Sequence, residues 1–308
     1  MTQKILIDTD PGIDDAMAIV YALSDPELEL VGLTTVFGNV PVAQATRNAL
    51  ALVSYLDRIV PVAEGAARPL EQEPLPHPDF VHGADGYGGV ALPASEAVVD
   101  SLDAAAFIID ALKANPGELI LIPVGPLTNI AEALRRDPSI ASLAKMVIVM
   151  GGAYGRGGNV TAHAEANIWQ DPHAAEIVLN TRWPLHLVGL NVTEEVRCTQ
   201  SDFDVLATLK PIAGSFLRDA VSFYIKFHRD RVGIDGCFLH DPSAVIAAVA
   251  PDFFETEDIP LMVNCAGAEI GATVAADDGR APVKVSLAVD DVRLRRRFLD
   301  VIGQGPLS

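Results

Sequence analysis

The sequence has few cysteines and few aromatic residues. Its three cysteines, Cys198, Cys237 and Cys265, are odd in number and widely spaced, which fits neither a disulfide framework nor a paired-cysteine metal site. We therefore expect reduced thiols in a cytoplasmic protein. Aromatic residues make up only 6% of the chain, and this scarcity favours layered helices and strands over an aromatic-rich β-sandwich.

Positive charge and long apolar runs are also scarce. The chain has 22 Lys and Arg residues against 41 Asp and Glu residues, a net charge of -19, so it lacks the basic face that nucleic-acid phosphates require. No apolar run reaches the roughly 18 residues of a membrane span. The N-terminal segment meets Asp8 too early for a signal peptide. We expect a cytoplasmic protein that binds neither nucleic acid nor a membrane.

Short β-branched segments alternate with longer segments of helical periodicity. Strands are predicted over residues 4–7, 30–36, 118–124, 145–150 and 185–190. Helices are predicted over residues 15–23, 42–56, 104–113, 129–135 and 172–179. The strand segments are apolar without strict alternation, as in strands covered on both faces. The pattern predicts an α/β fold with an open, mainly parallel, Rossmann-like sheet and helices on both sides.

Two segments depart from this alternation. Residues 64–93 are rich in proline and glycine and have no clear periodicity; a segment of this length predicts a loop that folds over the functional site. Residues 293–301 carry Arg295, Arg296 and Arg297 beside an apolar stripe. That stripe predicts a solvated amphipathic helix packed on the domain and no nucleic-acid patch.

Four closely spaced aspartates follow the first predicted strand: Asp8, Asp10, Asp14 and Asp15. Ligands gather at the carboxyl ends of parallel strands, and crowded carboxylates take up protons unless a cation neutralises them. Hard oxygen ligands suit Ca²⁺, and soft metals are disfavoured because no cysteine or histidine pair lies nearby. Helix capping explains one or two of these aspartates, but not all four.

The acidic segment DTDPGIDD (8–15) resembles the signature of the inosine–uridine-preferring nucleoside hydrolases. Further segments resemble that family in the same order along the chain: VFGN (36–39), HGADGYGG (82–89), PVGPLTNIA (123–131), MGGA (150–153), GNVTAHAEAN (158–167) and FLHDP (238–242). The resemblance covers nearly the whole chain. It implies the nucleoside hydrolase fold, with residues 1–308 as a single domain, and Ca²⁺-dependent cleavage of ribonucleosides to ribose and a purine or pyrimidine base.

The resemblance also implies the catalytic and metal-binding residues. Asp10 corresponds to the aspartate that contacts the calcium and takes a proton from the attacking water. Asp15, Asp241 and the backbone carbonyl of Val124 correspond to the other calcium ligands. His240 is the predicted acid for the leaving base, because histidine titrates near neutral pH and its neighbour corresponds to a calcium ligand. The alternative for His240 is a histidine that simply precedes a helix start.

The substrate contacts that the resemblance implies fall into two groups. Carboxylates and amides suit the ribose hydroxyls and the positive charge that develops on the sugar as the glycosidic bond breaks. On the ribose side the predicted residues are Asp14, Asn39, Met150, Asn159, Glu165 and Asn167. On the base side they are His82 and His228, the latter with Arg229 and Arg231 as neighbouring candidates where the family often has a tyrosine. Ala166 stands where the family commonly has phenylalanine. We therefore expect either that Trp169 fills the space of the missing ring or that the pocket is wider there.

Two other functions compete with nucleoside hydrolysis. The DTD sequence also resembles the start of metal-dependent phosphotransferases with an aspartate nucleophile, a reading that leaves Asp14, Asp15 and Asp241 without roles. A non-catalytic protein that binds nucleosides or calcium is the third hypothesis. Whichever applies, the resemblance favours a small-molecule ribonucleoside partner and a homodimer or homotetramer.

Overall fold

Eight strands form a central sheet in the computed structural model, which describes residues 2–308. The strands along the chain are β1 (Gln3–Thr9), β2 (Leu28–Thr35), β3 (Val62–Glu64), β4 (Ile120–Pro123), β5 (Met146–Met150), β6 (Leu185–Val188), β7 (Arg197–Cys198), β8 (Cys237–Phe238), β9 (Phe254–Ile259), β10 (Leu261–Val263), β11 (Thr273–Ala275) and β12 (Val283–Val289). The order across the central sheet is β3-β2-β1-β4-β5-β6-β12-β9. Neighbouring strands are parallel except β9, which is antiparallel to β12.

Helices cover both faces of this sheet. They are α1 (Ile13–Ser24), α2 (Val42–Tyr55), α3 (Asp79–His82), α4 (Ala104–Ala114), α5 (Thr128–Arg136), α6 (Ala166–Gln170), α7 (Pro172–Leu179), α8 (Leu190–Thr193), α9 (Gln200–Leu209), α10 (Ala213–Phe227), α11 (His240–Ala247) and α12 (Asp291–Gln304). Short 3₁₀ helices span Pro138–Ser142 and Pro251–Phe253, and a π-helical turn spans His228–Val232. The predicted fold class, an open and mainly parallel sheet flanked by helices, is confirmed.

Strand β1 explains why the predicted strands lack alternation. Ile5 and Ile7 pack into the apolar cluster on one face of the sheet, whereas Leu6 packs into the cluster on the other face. All three side chains are fully buried. Because successive side chains of a strand point to opposite faces, a strand covered on both faces must be apolar throughout.

The predicted elements are present with small shifts of their ends, but three strands of the sheet were missed. β3 has only three residues, and β9 and β12 form the antiparallel edge pair. Apart from the end of β3 at Glu64 and α3, the segment 64–93 lacks regular structure, as expected for a loop. The predicted amphipathic C-terminal helix is α12, in which Leu294 and Phe298 are fully buried. Among residues 2–308, no helix combines the length and apolar character needed to cross a bilayer.

Parallel strands direct their carboxyl ends to one edge of the sheet. The residues that follow β1, β2, β4 and β5 therefore lie at that edge, and they include Asp10, Asn39, Val124 and Gly151. This arrangement concentrates loop side chains at one place, where ligands of open α/β sheets usually bind.

Candidate active site

A cavity of about 430 Å³ opens at this edge of the sheet. It is lined by each residue that the sequence predicted to contact the substrate: Asp14, Asn39, His82, Met150, Asn159, Glu165, Asn167 and His228. Val124, His240 and Asp241 line it as well. A volume of this size accommodates a small polar organic molecule. Segments from both halves of the chain thus meet in one cavity.

Three carboxylates lie close together at this cavity. Asp14 and Asp241 belong to its lining, whereas Asp15 does not, and the predicted ligand Asp10 is outside both the lining and this cluster. Asp14 and Asp15 stand in the first turn of α1, and Asp241 stands in the first turn of α11. One carboxylate oxygen from each lies within 4.8 Å of the others. The positive ends of two helix dipoles favour negative charge at this point. The sequence prediction that Asp15 and Asp241 approach one another is confirmed, and Asp14 belongs to the same cluster.

Asp10 is fully buried directly after β1. Its Oδ2 accepts a hydrogen bond of 2.6 Å from the backbone N–H of Asn39, while its Oδ1 has no hydrogen-bond partner among the described residues. Two glycines make room for this carboxylate. A Cβ at Gly38 would lie 1.9 Å from Oδ2, and a Cβ at Gly125 would lie 2.6 Å from Oδ1. Positions 38 and 125 therefore have no room for a side chain beside Asp10.

Asp15 combines a structural role with its place in the cluster. Its carboxylate accepts hydrogen bonds from Thr9 Oγ1 at 2.5 Å, the Gly12 backbone N–H at 2.8 Å and Asn39 Nδ2 at 3.0 Å. The bond from Gly12 caps α1. The capping alternative is therefore correct for Asp15, but it does not account for Asp10, Asp14 or Asp241.

Burial makes the negative charge of these groups costly. Desolvation raises the pKa of Asp10 and of Asp241 well above the ordinary aspartate range, with neighbouring carboxylates adding to both shifts. Burial also raises the pKa of Asp15, and it raises that of Asp14 to about 6. Oδ1 of Asp14, like Oδ1 of Asp10, has no partner among the described residues. Free carboxylate oxygens in a crowded acidic cluster fit a hard divalent cation.

Asp8 was not among the predicted metal ligands, and its hydrogen bonds set it apart from the other three aspartates of the acidic segment. It is fully buried in β1 and accepts hydrogen bonds from Thr34 Oγ1 at 2.5 Å and Asn129 Nδ2 at 2.7 Å. Burial raises its pKa to about 7. Because these hydrogen bonds hold the carboxylate within the sheet, Asp8 is badly placed to be the nucleophile of a phosphotransferase.

Three histidines surround the rest of the cavity, and burial holds each in its neutral form. Burial lowers the pKa of His82 and of His228 to about 4, and that of His240 to about 3. Nδ1 of His240 lies 2.8 Å from the hydroxyl of Thr193. Nδ1 of His82 accepts from the backbone N–H of Ile13 at 3.2 Å.

The ribose-side candidates are held by backbone hydrogen bonds. The Glu165 carboxylate accepts from the N–H groups of Gly152, Asn167 and Ile168 at 2.9–3.1 Å and thereby caps α6. Asn167 Nδ2 donates to the carbonyl of Val124 at 2.8 Å. The more exposed Asn159 accepts from an α6 backbone N–H through its Oδ1. These bonds fix the segment from Asn159 to Asn167 against the sheet edge.

An aromatic wall of the cavity was missed at the sequence level. It consists of Tyr224 and Phe227 on α10 and Phe238 on β8. Tyr224 Oη donates to Asp14 at 3.3 Å, and its ring packs 5.4 Å from that of His82. Spacing alone cannot separate these residues from core aromatics on the same helix. Ala166 and Trp169 both line the cavity.

Comparison with known proteins agrees with this geometry. A profile of the inosine-uridine preferring nucleoside hydrolase family matches residues 5–296. A probable uridine nucleosidase 1 from Oryza sativa subsp. japonica is 40% identical over 299 residues, covering 93% of this chain and 92% of the relative. The inosine-uridine preferring nucleoside hydrolase of Crithidia fasciculata is 38% identical over 280 residues, or 89% and 88% of the two chains.

Solved structures of known hydrolases are similar to this chain as well. A purine-preferring ribonucleoside hydrolase from Gardnerella vaginalis superimposes with a TM-score of 0.94 and 36% identity, covering 98% of each chain. The sequence matches and this superposition each extend over nearly the whole chain. The protein therefore belongs to the inosine-uridine preferring nucleoside hydrolase family and is an enzyme of the ribonucleoside hydrolase class.

Proposed function

We propose that the protein is a Ca²⁺-dependent hydrolase that cleaves the N-glycosidic bond of ribonucleosides to give ribose and free base. One observation carries the proposal. Asp14, Asp15 and Asp241, from opposite ends of the chain, bring carboxylate oxygens within 4.8 Å of one another beside a cavity of about 430 Å³. The reaction needs such a site because positive charge develops on the ribose as the bond breaks, and carboxylates arranged in advance stabilise that charge.

The proposed ligands of the ion are Asp10, Asp15, Asp241 and the carbonyl of Val124, with Asp14 beside them. Oδ1 of Asp10 is free of protein partners among the described residues, as a ligand atom must be. When bound, Ca²⁺ would neutralise these carboxylates and lower the pKa of a water at the site. Val124 already accepts from Asn167 Nδ2, and a carbonyl oxygen has a second lone pair for another contact.

Asp10 is the proposed general base. Its Oδ2 is fixed by the N–H of Asn39. Oδ1 is therefore both the proposed ligand atom and the proton acceptor, and a carboxylate oxygen has two lone pairs for these contacts. Asn39 also donates to Asp15 through Nδ2, so one residue orients two carboxylates of the site.

Ribose is the proposed ligand of Asp14 and of the segment around Glu165. The Asp14 Oδ1 without a partner can accept from a ribose hydroxyl. Asn159 uses its Oδ1 on the backbone and keeps its amide N–H groups for the sugar, whereas Asn167 uses Nδ2 and keeps its Oδ1. Met150 lies beneath this segment at the end of β5, where it would pack against the sugar.

His240 is the proposed acid for the leaving base, and the proposal has a specific test. Because burial lowers the pKa of this histidine to about 3, the ring is neutral and its one N–H is the donor to the base. We expect His240→Ala to reduce kcat on inosine or uridine by about 10²–10⁴-fold, the usual contribution of a general acid. The loss on p-nitrophenyl riboside should be much smaller, because nitrophenolate leaves without protonation. The measurement is the steady-state rate of both substrates. Equal losses on both would show that His240 does not protonate the base.

A nucleoside panel tests the proposed function as a whole. The relatives differ in base, since their names specify uridine, inosine and uridine, or purines, so the panel should contain uridine, cytidine, inosine, guanosine and adenosine. Free ribose is measured by a reducing-sugar assay. We expect release from at least one ribonucleoside and much slower release from its 2′-deoxy form, which leaves hydroxyl-binding groups unpaired. No release from any member would contradict the proposal.

The remaining proposals concern the state of the protein in the cell. We propose a cytoplasmic enzyme whose 308 residues form a single domain and whose chains associate as a homodimer or homotetramer. The three free cysteines suit a reducing compartment. Sedimentation equilibrium distinguishes the two oligomers.

A further inference from the structure

His228 presents a fixed hydrogen-bond acceptor to the cavity. Its Nδ1 lies 2.8 Å from the backbone carbonyl oxygen of Tyr224. A carbonyl can only accept, so Nδ1 carries the proton and donates it. Burial lowers the pKa of His228 to about 4, and the neutral ring therefore holds this single proton. Its other nitrogen, Nε2, has a free lone pair.

Nε2 of His228 is open toward the cavity. His228 lines the cavity, and no described residue donates a hydrogen bond to Nε2. This atom has no protein partner, yet it is not completely enclosed by protein, so a ligand in the cavity can reach it. A 180° flip of the imidazole ring is energetically costly. It packs edge-on against Tyr224, Phe227 and Phe238 at centroid distances of 4.3, 5.1 and 5.1 Å, and a flip would replace the bond to Tyr224 by a C–H contact.

In His82 the donor and acceptor nitrogens of the ring are exchanged relative to His228. Its Nδ1 accepts from the backbone N–H of Ile13 at 3.2 Å, so the proton of the neutral ring is on Nε2. His82 and His228 both adjoin Tyr224, whose ring lies 5.4 Å from one and 4.3 Å from the other. One cavity wall thus offers a donor and an acceptor whose identities are set by the backbone. Such a pair matches a base edge that carries an N–H and an acceptor atom side by side.

We propose that His228 is a specificity-determining residue that accepts a hydrogen bond from an N–H on the Watson–Crick edge of the nucleobase. The inference rests on the proposed function and adds a requirement to it. A base without that N–H leaves the buried Nε2 unpaired and is rejected, because an unsatisfied buried polar group is more costly than a lost exposed contact. Uridine satisfies His228 through N3–H and inosine through N1–H, whereas 3-methyluridine and 1-methylinosine cannot.

The test compares kcat/KM for matched nucleosides. With the wild-type enzyme we expect 3-methyluridine to be poorer than uridine, and 1-methylinosine poorer than inosine, by about 10- to 100-fold, the range for an unpaired buried acceptor. The bulk control is 5-methyluridine, which keeps N3–H and should stay within about threefold of uridine. Equal rates for the N-methylated and unmodified nucleosides would overturn the inference.

Variants separate the hydrogen bond from the shape of the pocket. His228→Phe keeps a ring but has no acceptor, so uridine hydrolysis should fall and the discrimination against 3-methyluridine should shrink to within about threefold. His228→Gln supplies a carbonyl acceptor and should restore part of the discrimination against 3-methyluridine. His173→Phe, the same change at a histidine outside the cavity lining, is the matched control. Persistence of full discrimination in His228→Phe would also overturn the inference.

The outcomes distinguish this inference from the function on which it rests. If the wild-type enzyme releases ribose from neither uridine nor inosine, the proposed function fails for these substrates. If ribose is released and N-methylation has no effect, only the role of His228 fails. Each result is read from the same assay.

Discussion

Asp10→Asn should lower kcat for ribonucleoside hydrolysis by about 10²–10⁴-fold, the usual contribution of a general base. Asparagine is isosteric, and its Oδ1 can keep the bond of 2.6 Å that the Asn39 N–H donates to Asp10 Oδ2. The NH₂ group at the other position can neither take up a proton nor bind the proposed ion. Because the tight backbone at Gly38 and Gly125 is undisturbed by this change, we expect the variant to fold normally. Initial rates of ribose release at saturating substrate measure the effect.

The matched control for this prediction is Asp8→Asn. Asp8 is equally buried two residues earlier, in β1, where its Oδ1 accepts from Thr34 and Asn129. Burial raises both pKa values, and the charges of Asp15 and Asp14 raise the pKa of Asp10 further, whereas no neighbouring carboxylate contributes to that of Asp8. We expect a loss of less than about tenfold, as for a structural hydrogen bond. Far-ultraviolet circular dichroism and thermal melting confirm that both variants are folded. Full activity of Asp10→Asn would remove Asp10 from the mechanism.

Metal removal should have the second large effect. Treatment with a calcium chelator should abolish ribose release, and added Ca²⁺ should restore it. The physical reason is the cost of the empty acidic cluster, in which burial raises the pKa values of Asp10, Asp14, Asp15 and Asp241. Without a cation these groups take up protons and no longer stabilise positive charge on the sugar. Ligand loss should also lower the melting temperature.

Two controls make the metal prediction specific. Mg²⁺ added in place of Ca²⁺ should restore less activity, because Mg²⁺ demands a stricter octahedral geometry than a carboxylate-rich cage provides. A chelator already saturated with Ca²⁺ should have no effect. Hydrolysis that continues unchanged after exhaustive chelation would refute the metal assignment.

The sequence was sufficient to predict the part of the sheet whose strands are apolar on both faces. Strands such as β1 stand out because Ile5, Leu6 and Ile7 are all buried. β9 was missed because its sequence, FETEDI, contains three acidic residues, and half of its residues are exposed. An edge strand is paired on one side only, so its residues need not be apolar. Its place beside β12 depends on tertiary contacts that local composition does not record.

The candidate site was predictable where residues carry a motif and not where they resemble core residues. Asp241 follows a histidine in FLHDP, and the family resemblance was needed to connect it with Asp14 and Asp15 across the chain. Tyr224 has no such signal, since a tyrosine on an amphipathic helix is usually a packing residue. The tautomers of His82 and His228 were also beyond prediction, because backbone groups of Ile13 and Tyr224 set them.

Both competing hypotheses from the sequence are wrong. Family membership over residues 5–296 and the superposition on a ribonucleoside hydrolase identify a hydrolase, and neither a phosphotransferase nor a non-catalytic binding protein fits them. The environment of Asp8 gives the physical reason against phosphotransfer, since its hydrogen bonds hold it within the sheet. The acidic segment thus contains Asp8, which is bonded within the sheet, and three aspartates close to the site. Of these three, Asp14 lines the cavity, and Asp14 and Asp15 form the cluster with Asp241.

Calorimetric titration of the metal-stripped enzyme with Ca²⁺ tests the central claim most directly. The account predicts one ion per chain in the wild type and no measurable binding in Asp241→Ala, because Asp241 brings the second half of the chain to the ion. Absence of calcium binding by the wild type, or unchanged binding by Asp241→Ala, would contradict it.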